Sequence, residues 1–366
     1  MSAAQIFSIL YRLKFLLSEG TLSPNIIHMK FAKFPYFPFA FFCVSAALAA
    51  PERIVFDTDM GNDVDDALAL AMLHRFKNEG KTEIAAVLVN KGAPEAPVFC
   101  ALLNEYFGNG SVPVGHIADG KTPRAGAFAG KVAAAKNSDG SPKYPLPERA
   151  RGGKFPDAVK LARRVLAESE DGGVVYISVG FLTNAARLLE SPPDEISPLT
   201  GAELAAKKVK FFSVMGGNFA AAERAEYNIK EDAKSAQIFA KLCPSKIYFS
   251  GYEVGEGLRF PQSALDEKTR PDNPVNEAYK LYARTVNGGK SDRHDRPSWD
   301  LTSVLFVFEP ELFGVSETGN VSFDDAGRTK FSPSEGGKSA YLKIPEGRAE
   351  KILEKLANAA AYEPLN

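Results

Sequence analysis

The chain has 366 residues, of which 45% are apolar and 24% charged, with a formal net charge of −1. Such a composition supplies a full core, and the length admits one large domain or two ordinary ones. No basic stripe or block of like charge occurs, which excludes nucleic acid as the expected partner and favours small solutes.

The first fifty residues stand apart. Met29-Lys30-Phe31-Ala32-Lys33 is followed by an apolar stretch over residues 34–47 and then by Ala47-Leu48-Ala49. A basic start, a short apolar run and a small-x-small site are the pattern of a signal peptide cleaved near Ala49. Met29 is then the expected true start, with residues 1–28 upstream of it. Pro35 and Pro38 break the run, which is short for a membrane span, so no stable membrane anchor is expected; an uncleaved anchor is the alternative. Phe41 and Phe42 ahead of Cys43 argue against lipidation there. The expectation is an exported protein, periplasmic or secreted, with residues 50–366 as one large domain. Cys100 and Cys243 remain after cleavage, and an oxidising compartment permits their pairing without requiring it.

Beyond the leader, strand-like and helix-like stretches alternate. Residues 53–56 read as a strand, 65–76 as a helix, 84–89 as a strand, 97–107 as a helix and 112–116 as a strand. A helix over 160–169, a strand over 174–179 and a helix over 183–190 come next. Residues 209–215 and 245–250 read as buried strands around a helix over 233–242. This alternation predicts an α/β fold, a mainly parallel sheet with helices on both faces. Ligands in such folds bind beyond the carboxyl ends of the strands. Residues 119–155, rich in Gly, Pro, Lys and Ser, are a candidate lid or binding loop. Residues 267–296 are polar and partly helical around 276–285. A turn at 324–328 and a helix near 348–360 close the chain.

The chemistry concentrates after the first strand. Asp57, Asp59, Asp63, Asp65 and Asp66 place five carboxylates within ten residues, between the apolar Ile54-Val55-Phe56 and Ala67-Leu68-Ala69-Leu70-Ala71. Like charges about 4 Å apart repel by about 1 kcal/mol in water and several times that when partly buried. A cation among them relieves this. An all-oxygen, carboxylate-rich set suits Ca²⁺, with Mg²⁺ second. Capping of a helix by Asp65 and Asp66 is the plainer alternative, but it leaves Asp57 and Asp59 unaccounted for. An EF-hand begun at Asp57 fails because Leu68 stands where its closing Glu belongs. A haloacid-dehalogenase-type phosphatase fails at Gly61 and lacks a later Asp pair. A dinucleotide fold would need a Gly-rich turn here, and the carboxylates would repel its pyrophosphate.

The loop resembles the Asp-x-Asp-x-Gly-x-Asp-Asp-Ala signature of the inosine-uridine preferring nucleoside hydrolase family, with two extra residues between Gly61 and Asp65. Similar segments occur further along in the family's order. They are a strand ending at Asn90, Gly180-Phe181-Leu182-Thr183-Asn184-Ala185-Ala186, Met215-Gly216-Gly217, Ala225-Glu226-Tyr227-Asn228-Ile229 with Asp232, and Trp299-Asp300. Several motifs in order are more specific than any one. The resemblance implies a calcium-dependent N-ribosyl hydrolase acting on ribonucleosides. It implies that Asp59, Asp66 and Asp300, with the main-chain oxygen of Val179, hold Ca²⁺. It gives Asp59 a second role as the base that deprotonates the attacking water. Asp65, Asn90, Glu226 and Asn228 would hold the ribose hydroxyls, and the transition state would be oxocarbenium-like.

Two departures remain. The insertion makes Asp63 a competitor for the role of Asp65. Trp299 replaces the family's late His, and His294-Asp295 imitates that pair, but the residues downstream of it do not match the family. Trp at this place resembles the purine-specific branch, where an indole stacks on the base; simple core packing of Trp299 is the alternative. Another N-ribosyl substrate, or a ribose- or nucleoside-binding protein without catalysis, are the competing functions. Retention of Asp59 beside all the expected ligands argues against the second. Homo-oligomerisation is left open.

Overall fold

The computed structural model describes residues 51–364 except 222; the leader and its cleavage site near Ala49 lie outside the described residues. Twelve strands occur in chain order: β1 (Glu52–Thr58), β2 (Thr82–Lys91), β3 (Val114–Lys121), β4 (Val174–Ser178), β5 (Val209–Met215), β6 (Ile247–Ser250), β7 (Arg259–Phe260), β8 (Arg296–Pro297), β9 (Gly314–Val315), β10 (Gly319–Phe323), β11 (Thr329–Pro333) and β12 (Ser339–Lys343). Ten of them form one sheet, ordered β11-β10-β12-β6-β5-β4-β1-β2-β3 with β9 on β12, while β7 and β8 pair separately. From β6 to β3 all neighbours are parallel, as is the β6–β12 pair; β9, β10 and β11 run antiparallel to their neighbours.

Both faces of the parallel part are covered, which is why its strands are apolar almost throughout. Along β1, Ile54 and Phe56 enter one core with the helices Asp65–Asn78, Glu95–Tyr106 and Trp299–Phe308. Val55 points the other way, into a second core with the helices Ala158–Ala167, Thr183–Glu190 and Ala233–Leu242. Cys100 lies in the first core and Cys243 in the second, both buried and free, so the sheet separates two thiols that the sequence allowed to pair. Among the described residues no helix is long and apolar enough to cross a membrane.

The predicted α/β class and mainly parallel sheet are those observed. Differences are local. The strand expected over 112–116 runs from Val114 to Lys121. The segment 119–155 is not a bare loop: it carries a short helix, Ala129–Ala133, and buries Phe128, Val132 and Tyr144. The helix Gly201–Lys208 was not anticipated, although Thr200 and Glu203 form a capping box that marks its start. Strands β9–β12 escaped notice too. They are short, and β10 alternates buried and exposed residues in a plain five-residue run. The turn expected at 324–328 is the hairpin between β10 and β11.

Placement of the site is a consequence of the sheet order. The chain moves from β1 outward to β2 and β3, then returns to start β4 on the other side of β1. Crevices form where connections diverge in this way, beyond the carboxyl ends of the two strands. Here Asp57 pairs with Ser178, so the segments that begin at Asp59 and Val179 emerge side by side.

Candidate active site

A cavity of about 460 Å³ opens at this crevice, within the range of small-ligand sites. Its floor includes Asp59, Asp65, Asp66, Val179 and Asp300; Glu226 and Asn228 form one flank, and Trp299, Tyr252 and Arg296 another. Apart from Asn90, every residue to which the resemblance gave a metal, catalytic or substrate role lies on this wall.

Asp65 and Asp66 open the helix Asp65–Asn78, and Asp300 sits in the first turn of Trp299–Phe308. Two helix N-termini therefore aim their positive ends at three carboxylates. The Asp300 amide donates to Asp65 Oδ2 at 3.2 Å, tying the two helix starts together. One carboxylate oxygen from each of Asp65, Asp66 and Asp300 lies within 4.8 Å of the others. Burial, then repulsion from neighbouring carboxylates, pushes all three well above the usual carboxylate range. None of them forms an ion pair among the described residues. Two oxygens about 2.4 Å from a shared Ca²⁺ span up to about 5 Å, so this all-oxygen set fits a hard divalent cation.

Asp59 stands on the same wall but is held differently. Asn62 Nδ2 donates to its Oδ2 at 2.5 Å. Burial raises its pKa to about 6, against the pull of the Asn62 hydrogen bond and of the nearby Lys91 charge. The expected trio was Asp59, Asp66 and Asp300; the tightest trio is Asp65, Asp66 and Asp300, with Asp59 beside it. Asp63 and Asp65, the competitors for one role, have different partners. Both line the cavity, but Asp63 is paired with Arg296, accepting from its Nε at 2.9 Å, whereas Asp65 makes no ion pair among the described residues.

Asn90 is absent from the cavity wall. Its Nδ2 donates to Asp57 Oδ1 at 2.9 Å, and its Oδ1 accepts from the Phe181 amide at 3.2 Å. Asn184 and Tyr176 also donate to Asp57, each at 2.8 Å. Asp57, fully buried, is thus a pillar that ties the ends of β1, β2 and β4 together beneath the site. Gly180 is required there, because a Cβ would stand 2.4 Å from the Asp59 nitrogen and 2.8 Å from Asn90 Oδ1.

Glu226 carries two burdens. Its carboxylate caps the helix Tyr227–Glu231 by accepting from the amides of Asn228 at 2.9 Å and Ile229 at 3.1 Å. Burial nonetheless raises its pKa to about 7. Asn228 Nδ2 donates to the Val179 carbonyl at 3.1 Å, so that oxygen already points into the site. Trp299 is half-buried on the wall. Its Nε1 donates to the Tyr252 carbonyl at 2.9 Å, its ring lies 5.6 Å from that of Tyr252, and the Arg296 guanidinium sits 4.9 Å from it. His294-Asp295 is elsewhere: Asp295 accepts from the Gln262 amide at 3.0 Å, and neither residue lines the cavity.

Sequence reasoning missed Asn62, Lys91, Arg224, Tyr252, Tyr282 and Arg296. Lys91, the last residue of β2, carried no signal that sets it apart from the solvated lysines that commonly end a strand. Arg296 and Tyr282 lie in the polar segment 267–296, where nothing local separates wall residues from solvated ones.

The family model described as inosine-uridine preferring nucleoside hydrolase matches residues 54–350. No curated protein sequence gives a match. Among solved structures, a plant nucleoside hydrolase superposes with a TM-score of 0.64 at 19% identity, covering 86% of this chain and 100% of that one. A purine-preferring ribonucleoside hydrolase from Gardnerella vaginalis gives 0.62 at 14% identity, covering 84% and 98%. The type III effector protein XopQ, complexed with adenosine diphosphate ribose, gives 0.59 at 16% identity, covering 86% and 95%. At these identities the likeness is one of fold.

Proposed function

Since the chain belongs to the inosine-uridine preferring nucleoside hydrolase family, we propose that it hydrolyses the N-glycosidic bond of ribonucleosides, purine ones first, in a calcium-dependent reaction. The observation that carries this reading is the convergence, in one cavity at the switch point, of buried carboxylates without ion pairs from the end of β1 and from two helix starts. Asp59, Asp66, Asp300 and the Val179 carbonyl would hold Ca²⁺, with Asp65 close enough to contribute or to bind a ribose hydroxyl. The ion would supply acidification of a water and an anchor for the ribose diol.

Asp59 accepts the proton of the attacking water. Its raised pKa keeps it basic enough for that transfer near neutral pH. Glu226 and Asn228 orient the ribose from the opposite flank. As the bond to the base lengthens, positive charge develops on the sugar, and the surrounding carboxylates stabilise it. Trp299 and Tyr252 offer the base an aromatic wall, which favours the larger purine. Asn90 acts from below, through Asp57. Residues 50–366 would be the catalytic domain, working outside the cytoplasm after removal of the leader.

A second reading keeps the bond cleaved but enlarges the substrate. Arg224 and Lys230 line the cavity and make no ion pair among the described residues. A phosphorylated N-ribosyl compound would engage them, and the neighbour with bound adenosine diphosphate ribose supports including such compounds. The test is release of free base from inosine, adenosine, guanosine, uridine and adenosine diphosphate ribose, with Ca²⁺ and with a chelator. Release from purine nucleosides that the chelator abolishes is expected. No release from any nucleoside removes the hydrolase reading, and release untouched by the chelator removes the metal.

A further inference from the structure

We propose that Lys91 and Asn62 form a relay that positions the Asp59 carboxylate, making Lys91 a positioning residue for the reaction although it never reaches the substrate cavity. The proposal rests on the reading of Asp59 as the base.

Lys91 is only 2% exposed. Burying an ammonium is expensive unless its charge is answered and its protons are bonded. Its Nζ donates to Asn62 Oδ1 at 2.5 Å, to the Thr122 carbonyl at 2.9 Å and to Thr122 Oγ1 at 3.2 Å. Three donors thus meet three neutral oxygens, and no carboxylate is paired with Lys91 among the described residues. The answering charge lies one hydrogen bond further on, because the other end of the Asn62 amide donates to Asp59 Oδ2. An amide whose oxygen is polarised by a cation is a stronger donor at its nitrogen. The charge of Lys91 therefore reaches Asp59 without an ion pair that would occupy the cavity.

The surroundings are built around this contact. Thr122 has φ 44°, the one positive φ outside glycine among the described residues. Such a conformation is unfavourable for a β-branched residue and persists where neighbours impose it. Here it turns both the carbonyl and the hydroxyl of Thr122 onto Lys91, and the hydroxyl also accepts from Asn62 at 3.1 Å. Asn62 forms the partition between the substrate cavity and a second one of about 360 Å³ that holds Lys91 and Thr122. Asn62 is also one of the three residues between Gly61 and Asp65, where the family signature has one. The relay gives that extra length a use. With Oδ2 held, Asp59 keeps Oδ1, which no other described residue hydrogen-bonds, for the water.

The experiment compares Asn62→Ala, Lys91→Met, Lys91→Arg and Asp59→Asn with the parent chain. Steady-state kinetics on inosine, Ca²⁺ titration calorimetry and thermal melts are the readouts. In Asn62→Ala and Lys91→Met, kcat should fall about tenfold or more with KM nearly unchanged, and Lys91→Arg should recover part of the loss. Ca²⁺ should bind Lys91→Met several-fold more tightly, because a positive charge has left its vicinity. Normal kcat in Lys91→Met beside a dead Asp59→Asn overturns the relay and leaves the base reading intact. An active Asp59→Asn overturns the base reading and the relay with it. Loss of kcat, KM, Ca²⁺ affinity and melting temperature together in Lys91→Met assigns it to packing and overturns the relay. Should the parent chain cleave no nucleoside, the hydrolase reading falls and the titration decides: tightening supports the coupling of Lys91 to the site, and unchanged or weaker Ca²⁺ binding overturns it.

Discussion

Asp300→Asn separates a metal-binding floor from an acidic floor that merely caps helices. The Asp300 carboxylate makes no hydrogen bond among the described residues, and the contact from its backbone amide to Asp65 survives the substitution. The change therefore removes charge and little else. With the nearest oxygens of the trio within 4.8 Å, one carboxylate pair repels by about 3.5 kcal/mol at an effective dielectric constant of 20. Proton uptake discharges part of this, since all three pKa values are raised. A net gain of roughly 1–2 kcal/mol is expected for the metal-free variant at neutral pH, or roughly 2–6 °C in melting temperature. Ca²⁺ should act oppositely. At a hundredfold excess over its Kd it stabilises the parent chain by about 2.7 kcal/mol, and the variant should lose most of that increment. Differential scanning fluorimetry in chelator and in Ca²⁺ reads both effects. A variant that melts below the parent in chelator, or keeps the full Ca²⁺ shift, refutes the assignment of Asp300 as a ligand placed among repelling charges.

The geometry leads to three further outcomes. Asp59→Asn should lower kcat by about two orders of magnitude or more while the melting profile stays cooperative, and near-normal turnover would mean another group activates the water. In chelator, the folded chain should lose stability as pH rises from about 4 to about 8. Asp57 and Glu226 both stand near 7 when folded, above their ordinary values of 3.8 and 4.5, so the folded state holds extra protons in that window; a melting temperature that climbs over this range contradicts it. Trp299→Ala should cost purine nucleosides roughly ten- to a hundredfold in kcat/KM and uridine less, since stacking on an aromatic contributes about 1–3 kcal/mol. Equal losses on inosine and uridine would make Trp299 a packing residue.

How much of this was readable in the chain depends on the range of the interaction involved. Local signals survived well. The apolar strand before Asp57, the helix starting at Asp65 and the ordered later motifs all report on contacts within a few residues, and they located the cavity wall. What sequence could not convey is which of two neighbours finds a partner. Asp63 and Asp65 are identical as residues; a bond to Arg296, 233 positions away, pairs Asp63 and leaves Asp65 without an ion pair among the described residues. Asn90 shows the reverse case. Its place at the end of β2 is as expected, yet Asp57 and the Phe181 amide claim its side chain, so proximity to a site does not make a side chain part of its surface. Lys91 is the strongest instance. A lysine at the end of a buried strand reads as the first solvated residue, and Asn62 together with Thr122, folded over it from the connection after β3, makes it an interior cation. The residues that face the cavity are set by the switch point and the family pattern. Those that hold them in place, Asn62 and Thr122 among them, come from connections, where no periodic pattern marks which side chain will be bonded to which.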